Sequence, residues 1–345
     1  MRICTLLLVL VTGASAQAGP MLPTLVELRQ DKPRAHHGLK IPEGHTVGPT
    51  IPGLRKGQGA VPQGLVYWQK QKWFLISCYF PDEEGHPSVV VALDEAGKLV
   101  RCLTLVEATG KAHTQHVGGL AVSDKYLWVG SGLLYRVPLT AILAAKSVDY
   151  LPLQTPFKAE CTASYVAYHD KQVWVGEFVS REHDFEGSPA HKLKDRNGVQ
   201  KYAWIAGYAL DGDDDLKGTA GDKHPPPAAV LSVRQKVQGM AFLGDSILLS
   251  MSYGRKNNST LAAYTNPLQE KRHGKVEVGS KTVPVWFLDG QNNEWERDDY
   301  PPMSEGITAY GKRFGLIFES GAEKYEEDSR GSIDTILFFK PPAGK

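Results

Sequence analysis

Cysteine is scarce in this chain, with 4 among 345 residues. Cys4 lies in an N-terminal apolar stretch, which leaves Cys78, Cys102 and Cys161. An odd number leaves at least one thiol unpaired or intermolecular. A Cys78–Cys102 bridge is one reading, and three small buried side chains is the other. No Cys-x-x-Cys and no His-rich spacing occurs, so nothing points to a structural zinc site. An excess of charge of one sign is also missing. Lys and Arg number 39 against 38 Asp and Glu, a net charge of +1, so there is no electrostatic case for nucleic acid or an anionic membrane. There is no Gly-x-Ser-x-Gly elbow, no phosphate-cradling loop and no dinucleotide fingerprint. No segment reaches the roughly 20 apolar residues needed to span a bilayer. Helical periodicity is nearly absent, and only Leu139 to Lys146 reads as a brief helix.

The N-terminus does carry a signal. Met1-Arg2 is positive, Ile3 to Val11 is apolar, and Thr12 to Ala18 is small. Residues 1–18 therefore read as a secretory signal peptide, cleaved after Ala16 or Ala18, and predict a secreted or periplasmic protein. Residues 19–345 are expected to form one domain and a monomer.

A short phrase recurs along that domain. Its copies are Gln63-Gly-Leu-Val-Tyr-Trp, Gly118-Gly-Leu-Ala-Val-Ser, Ala163-Ser-Tyr-Val-Ala-Tyr, Gln238-Gly-Met-Ala-Phe-Leu and Glu305-Gly-Ile-Thr-Ala-Tyr. After a few turn residues each is followed by a second β-rich run, such as Trp73-Phe-Leu-Ile-Ser or Ile247-Leu-Leu-Ser-Met. Repeated all-β units of roughly 40 or more residues are blade-sized and stack on their neighbours, which predicts an all-β, five-bladed β-propeller.

After an N-terminal arm at 19–59, the blades are read as 60–110, 111–157, 158–234, 235–290 and 303–345. Blade 2 draws its fourth strand from 149–153, and blade 4 draws its fourth from 282–288. Only three strands are found in the last blade. An open sheet edge is avoided in proteins, so the strand-like Thr24-Leu-Val-Glu-Leu-Arg29 is expected to close the ring. The alternative is a packed N-terminal arm. The charged insert from Ser180 to Tyr202 is a candidate rim or a solvated loop.

Chemistry is expected on the axis. The starts of the innermost strands hold Gln63, Gly118, Ala163, Gln238 and Glu305, with His116 one step earlier. Glu305 needs a cation, a basic partner or water, because an unpaired buried carboxylate is costly. One reading is calcium held by Glu305, Gln63 and Gln238; the other is a hydrogen-bonded plug. The ends of the second strands add Tyr79, Glu177, Tyr253, Arg255 and Glu319. Glu305, Glu177 and His116 are the candidate catalytic groups, since paired acids serve in glycoside hydrolysis. Arg255 is a candidate anion clamp, or a partner for one of the acids. Tyr79 and Tyr253 are candidate sugar-stacking rings, with Gln63, Gln238 and Glu319 beside them. Asp211-Gly-Asp-Asp-Asp215, with Asp222, partly echoes a calcium loop; a solvated hairpin tip is the other reading.

The segments HTQHVGGLAVSDKYLWVGS (113–131), ASYVAYHDKQVWVGEF (163–178), SPAHKLKDRNGVQKYAWIAGY (188–208) and SMSYGRKNNS (250–259) resemble a group of secreted bacterial propeller-like proteins. That resemblance implies export and a propeller, and brings no reaction with it. More distantly, the chain is similar in fold to gluconolactonase and paraoxonase propellers, which implies an axial calcium acting on an ester or lactone. It lacks their axial Asn and Asp ligands, and five units stand where they have six. The expectation is a metal- or carboxylate-assisted hydrolase of a sugar or ester. The alternative is a non-catalytic propeller that binds a glycan or a protein.

Overall fold

The computed structural model describes residues 22–34, 39–55, 57–81, 85–217, 225–327 and 330–342. Residues 1–18, read above as a signal peptide, lie outside them. The described chain is a ring of five mainly antiparallel sheets, each beginning with one copy of the repeated phrase on the axis.

Blade 1 runs outward through Val61–Trp68, Trp73–Tyr79, Val89–Asp94 and Leu99–Val106. Blade 2 has Gly119–Val122, Tyr126–Ser131 and Leu133–Pro138. Blade 3 has Tyr165–His169, Gln172–Gly176, Ala203–Ala209 and Ala229–Val233. Blade 4 has Val237–Leu243, Ser246–Met251, Ser259–Thr265 and Asn293–Tyr300. Blade 5 has Ser304–Tyr310, Arg313–Phe318 and Thr335–Phe339.

A strand from the N-terminal region closes the ring, but it is Thr46–Thr50, which pairs antiparallel with Thr335–Phe339. Pro49 is tolerated there because an outermost strand needs no donor on its free side. Thr24–Arg29 is not a strand. Its Val26 amide donates to Thr104 Oγ1 at 2.9 Å and its carbonyl accepts from Cys102 Sγ at 3.2 Å. Val26 and Leu28 are buried against blades 1 and 5. The alternation in this segment serves packing instead of a ladder.

Two strand assignments are also corrected. Val148–Pro152 joins blade 1, running parallel to Leu99–Val106. Lys281–Phe287 joins blade 3, parallel to Ala229–Val233, and carries Gly274–Val278 beside it. In both cases the strand pairs with the outer edge of the preceding blade instead of its own.

Blade 2 therefore keeps three strands, and other segments cover its edge. Leu134 and Phe157 exchange two backbone bonds of 2.9 and 2.7 Å. The Asp211–Asp215 loop acts as a latch. Asp214 accepts from Ser123 Oγ at 2.5 Å and Lys125 N at 2.9 Å, and Asp215 pairs with Arg136. Asp211 caps the Asp213 and Asp215 amides at 2.8 and 3.0 Å. These bonds account for those acids as an inter-blade clasp; Asp222 lies outside the described residues.

The core lies in five seams, one between each pair of neighbouring blades. Successive residues of a second strand face opposite seams: Ile247 and Leu249 face blade 3, whereas Leu248 faces blade 5. With both faces buried, such strands read as continuous apolar runs. Cys78, Cys102 and Cys161 are free and buried in these seams. Burial pushes the thiols up, that of Cys102 to about 11.

The glycine of the repeated phrase has a steric cause. A Cβ on Gly306 would lie 2.4 Å from Leu65 N, one on Gly64 3.1 Å from Leu120 N, one on Gly119 2.4 Å from Val166 N, and one on Gly239 2.9 Å from Glu305 O. Each innermost strand thus presses its backbone on the next blade. Blade 3 departs from this: Tyr165 occupies the glycine position and its ring fills the seam toward blade 4. The copy there is shifted by one residue from the sequence reading, so Ser164, not Ala163, stands level with Gln63, Gly118, Gln238 and Glu305.

Candidate functional site

Side chains on one face of a strand recur every second residue, so the innermost strands build tiers down the axis. The uppermost tier holds Gln63, Gly118, Ser164, Gln238 and Glu305. The next, Leu65, Leu120, Val166, Met240 and Ile307, is a buried apolar waist. Above the waist is a cavity of about 730 Å³ lined by the upper tier and by loops that follow the second strands.

The structure brings Gln63, Tyr79, His116, Gln238, Tyr253, Arg255, Glu305 and Glu319 to this one cavity. Glu305 reaches it from the first turn of its strand and is 4% exposed. Glu319 starts a 3-10 turn, Glu319–Gly321, directly after the second strand of blade 5. That turn is held close because Gly321 lies against the Ile333 backbone, where a Cβ would come within 2.2 Å of the Ile333 carbonyl. Gln63 Nε2 donates to Glu319 Oε1 at 2.6 Å.

The two carboxyl groups are electrostatically linked. Burial, then the neighbouring Glu319, holds the Glu305 carboxyl well above the usual range. Burial also pushes Glu319 up, to about 7, against the lowering effect of the Gln63 bond and the charges of Lys324 and Arg255. Glu319 therefore titrates near neutral pH, and the Glu305 carboxyl is held toward its protonated form. Burial, then Lys324, lowers His116, so its imidazole is neutral there. Burial and Glu319 raise the Tyr79 hydroxyl, and they push Tyr325 up to about 12, so both remain protonated donors.

Aromatic rings frame the mouth. Tyr79 stacks on His116 with centroids 3.7 Å apart, and its hydroxyl lies 3.4 Å from that of Tyr325. Arg255 and Lys324 sit over the Tyr325 ring at 5.1 and 5.6 Å. Tyr253 is stacked between His183 at 3.8 Å and Phe178 at 6.3 Å. His183 belongs to the 180–202 insert, whose Asp184, Phe185 and Glu186 complete the wall. The insert is thus the rim. Met303, buried in the wall, holds a positive φ of 64°, a strained setting for a side chain of its size.

Glu177 is not at the cavity. Its Oε1 accepts from His191 Nδ1 at 2.6 Å and from Trp204 N at 3.0 Å, and His191 stacks on Trp204 at 4.0 Å. It braces the base of the insert. Its position at a strand end matches that of Glu319, but its side chain turns into blade 3. Sequence reasoning misses Tyr325 and Lys324, although their loop follows a second strand as the other site loops do.

The fit to calcium is poor on the donors present. Calcium takes six to eight oxygens. Among the described residues no group of three or more Asp, Glu, His or Cys side chains is placed to hold a metal. Gln63 turns its NH₂ group, not its oxygen, toward Glu319, and Arg255 and Lys324 already bring positive charge to that carboxyl.

Comparison with known proteins gives similarity of fold only. No family model matches, and no curated protein matches. Among solved structures, Myxococcus xanthus glutaminyl cyclase is 12% identical over 85% of this chain and 94% of its own, with a TM-score of 0.42. A Thermus thermophilus protein described as an oxidoreductase (glucose dehydrogenase) is 10% identical over 86% and 99%, with a TM-score of 0.41. The WD40 repeats of RRP9 are 9% identical over 85% and 98%, with a TM-score of 0.40. No helix among the described residues is long and apolar enough to cross a membrane.

Proposed function

We propose that the upper cavity is an acid–base site that hydrolyses a small sugar- or ester-like molecule by a carboxylate-assisted route. The observation that carries this reading is the Glu305–Glu319 pair. Two carboxyl groups held above their ordinary range at one cavity weaken the fold, and such groups concentrate at functional sites. Glu319, once ionised, takes a proton from water as the water attacks the substrate carbon. Glu305 gives its proton to the leaving oxygen, and return of the proton from Glu319 through water resets the pair. Gln63 orients Glu319. The neutral His116 and the Tyr79 hydroxyl hold oxygen groups of the substrate, and Arg255 takes its most electron-rich end.

A panel of aryl glycosides, lactones and aryl esters tests this, with and without chelator. Turnover of one class is expected to rise with pH through about 7 as Glu319 ionises, and to fall again where Glu305 loses its proton. Glu319→Gln and Glu305→Gln should each reduce turnover by roughly 100-fold or more. A chelator-sensitive activity would instead favour the calcium reading.

The aromatic mouth of Tyr253, His183 and Phe178 favours a second reading, a glycan-binding propeller without catalysis. In that case sugars raise the melting temperature, nothing in the panel turns over, and Glu319→Gln leaves binding unchanged.

A further inference from the structure

The opposite mouth of the axis is built differently. Below the apolar waist lies a second cavity of about 1020 Å³. Its wall continues the tiers with Tyr67, Tyr168 and Phe242, and Tyr310 lies beside them. Lys72, Lys312, Arg313 and Lys340 all line it, and among the described residues no Asp or Glu does. Against a chain whose net charge is +1, that is a strong local bias. All four cations come from blades 1 and 5, so they converge on one side of the opening.

None of the four is in an ion pair among the described residues. Arg313 is held in place without a carboxylate: it donates to Thr46 Oγ1 at 2.9 Å and lies over the rings of Tyr310 and Phe338, each at 5.3 Å. Glu95, close by, accepts from the hydroxyls of Tyr67 and Tyr310 at 2.7 and 3.0 Å and also feels the charge of Lys72, without forming an ion pair with it. The cavity therefore offers an apolar floor, aromatic walls and one cationic side, with a guanidinium held in place by Thr46 and two rings.

From this we infer a second ligand site, separate from the upper cavity, for a small organic anion. The anion's apolar body rests on the waist and the aromatic tier, and its carboxylate or phosphate head meets the lysines and Arg313. Burying the body in a pocket of this kind supplies affinity, and the head fixes its orientation.

The test uses the full chain with octanoate and phenyl phosphate as probes, followed by calorimetry and thermal melts. Both anions, or one of them, should bind saturably, with affinity falling as salt rises; which one binds better tells the head group. The Lys72→Gln, Lys312→Gln, Lys340→Gln triple variant changes exposed side chains only, and should lose at least about 10-fold in affinity. Glu305→Gln, at the other end of the axis, should leave it unchanged. Absence of binding, equal affinity in the triple variant, 1-octanol binding as well as octanoate, or inorganic phosphate binding as well as phenyl phosphate would each overturn the site. None of these results depends on whether the upper cavity is catalytic.

Discussion

At the scale of single residues, the Glu305–Glu319 pair has a direct energetic consequence. A carboxyl whose folded value is raised is protonated in both the folded and the unfolded chain at low pH, and there it leaves stability untouched. As pH climbs from the ordinary carboxylate range to about 7, the unfolded chain ionises first, and the fold loses stability. Glu319→Gln should therefore leave the melting temperature nearly unchanged at pH 4 and raise it by several degrees at pH 8. The gain is on the order of 2 kcal/mol once the partial exposure of Glu319 is allowed for. Its amide oxygen can still accept from Gln63, so the shape of the site is kept. A variant that gains stability and loses turnover would show the pair to be functional and not structural; a Glu319→Gln melt that matches the parent chain at pH 8 would remove the electrostatic basis of the site.

Among the elements, the innermost strands carry the tightest steric constraint. Their glycines allow backbone contact at four of the five seams, and Tyr165 fills the remaining one. Gly306→Ala would place a methyl group 2.4 Å from Leu65 N, with only backbone to yield. It should destabilise by on the order of 3 kcal/mol. Gly212→Ala meets nothing within 4 Å and serves as the control, with little change expected. Urea denaturation of both variants checks the argument. Equal midpoints would mean that the innermost strands are looser than this packing requires.

For the molecule as a whole, ring closure and the N-terminal arm are separable. A chain beginning at Leu39 loses Val26 and Leu28 from the seam between blades 5 and 1, together with the ion pair of Arg34 and Glu326, but keeps the closing strand. It should fold with a lowered melting temperature. A chain beginning at Pro52 also loses Thr46–Thr50 and leaves the Thr335–Phe339 edge open, so it should self-associate. Melting and sedimentation separate the two. If the shorter chain is as stable and as monodisperse as the longer one, the closing strand contributes nothing. The two ends of the axis also differ in charge. Glu305, Glu319, Asp184 and Glu186 line one cavity beside Arg255, and Lys72, Lys312, Arg313 and Lys340 line the other.

The all-β class, the five blades and the end of the axis at which the polar side chains gather are all legible in the order of residues. Period-two alternation and a repeated glycine are local properties, and each carries its structural consequence within one strand. Gln63, Gln238 and Glu305 share one cavity, as equivalent positions of a repeat must point alike, whereas His116 and Glu319 reach it from the segments before and after strands. Which strand meets which edge is a matter of the folded ring. Val148–Pro152 and Lys281–Phe287 are legible as strands but not the edges they join, and Thr46–Thr50 closes the ring in place of Thr24–Arg29, because edge pairing is a backbone interaction that side chains barely specify. Packing also sets the direction of Glu177, which turns to His191 because burial without a partner would be costly, and the one-residue shift at Tyr165, where a ring replaces a backbone contact. Finally, the raised carboxyls of Glu305 and Glu319 arise from distance and burial, and neither is a property of a single strand.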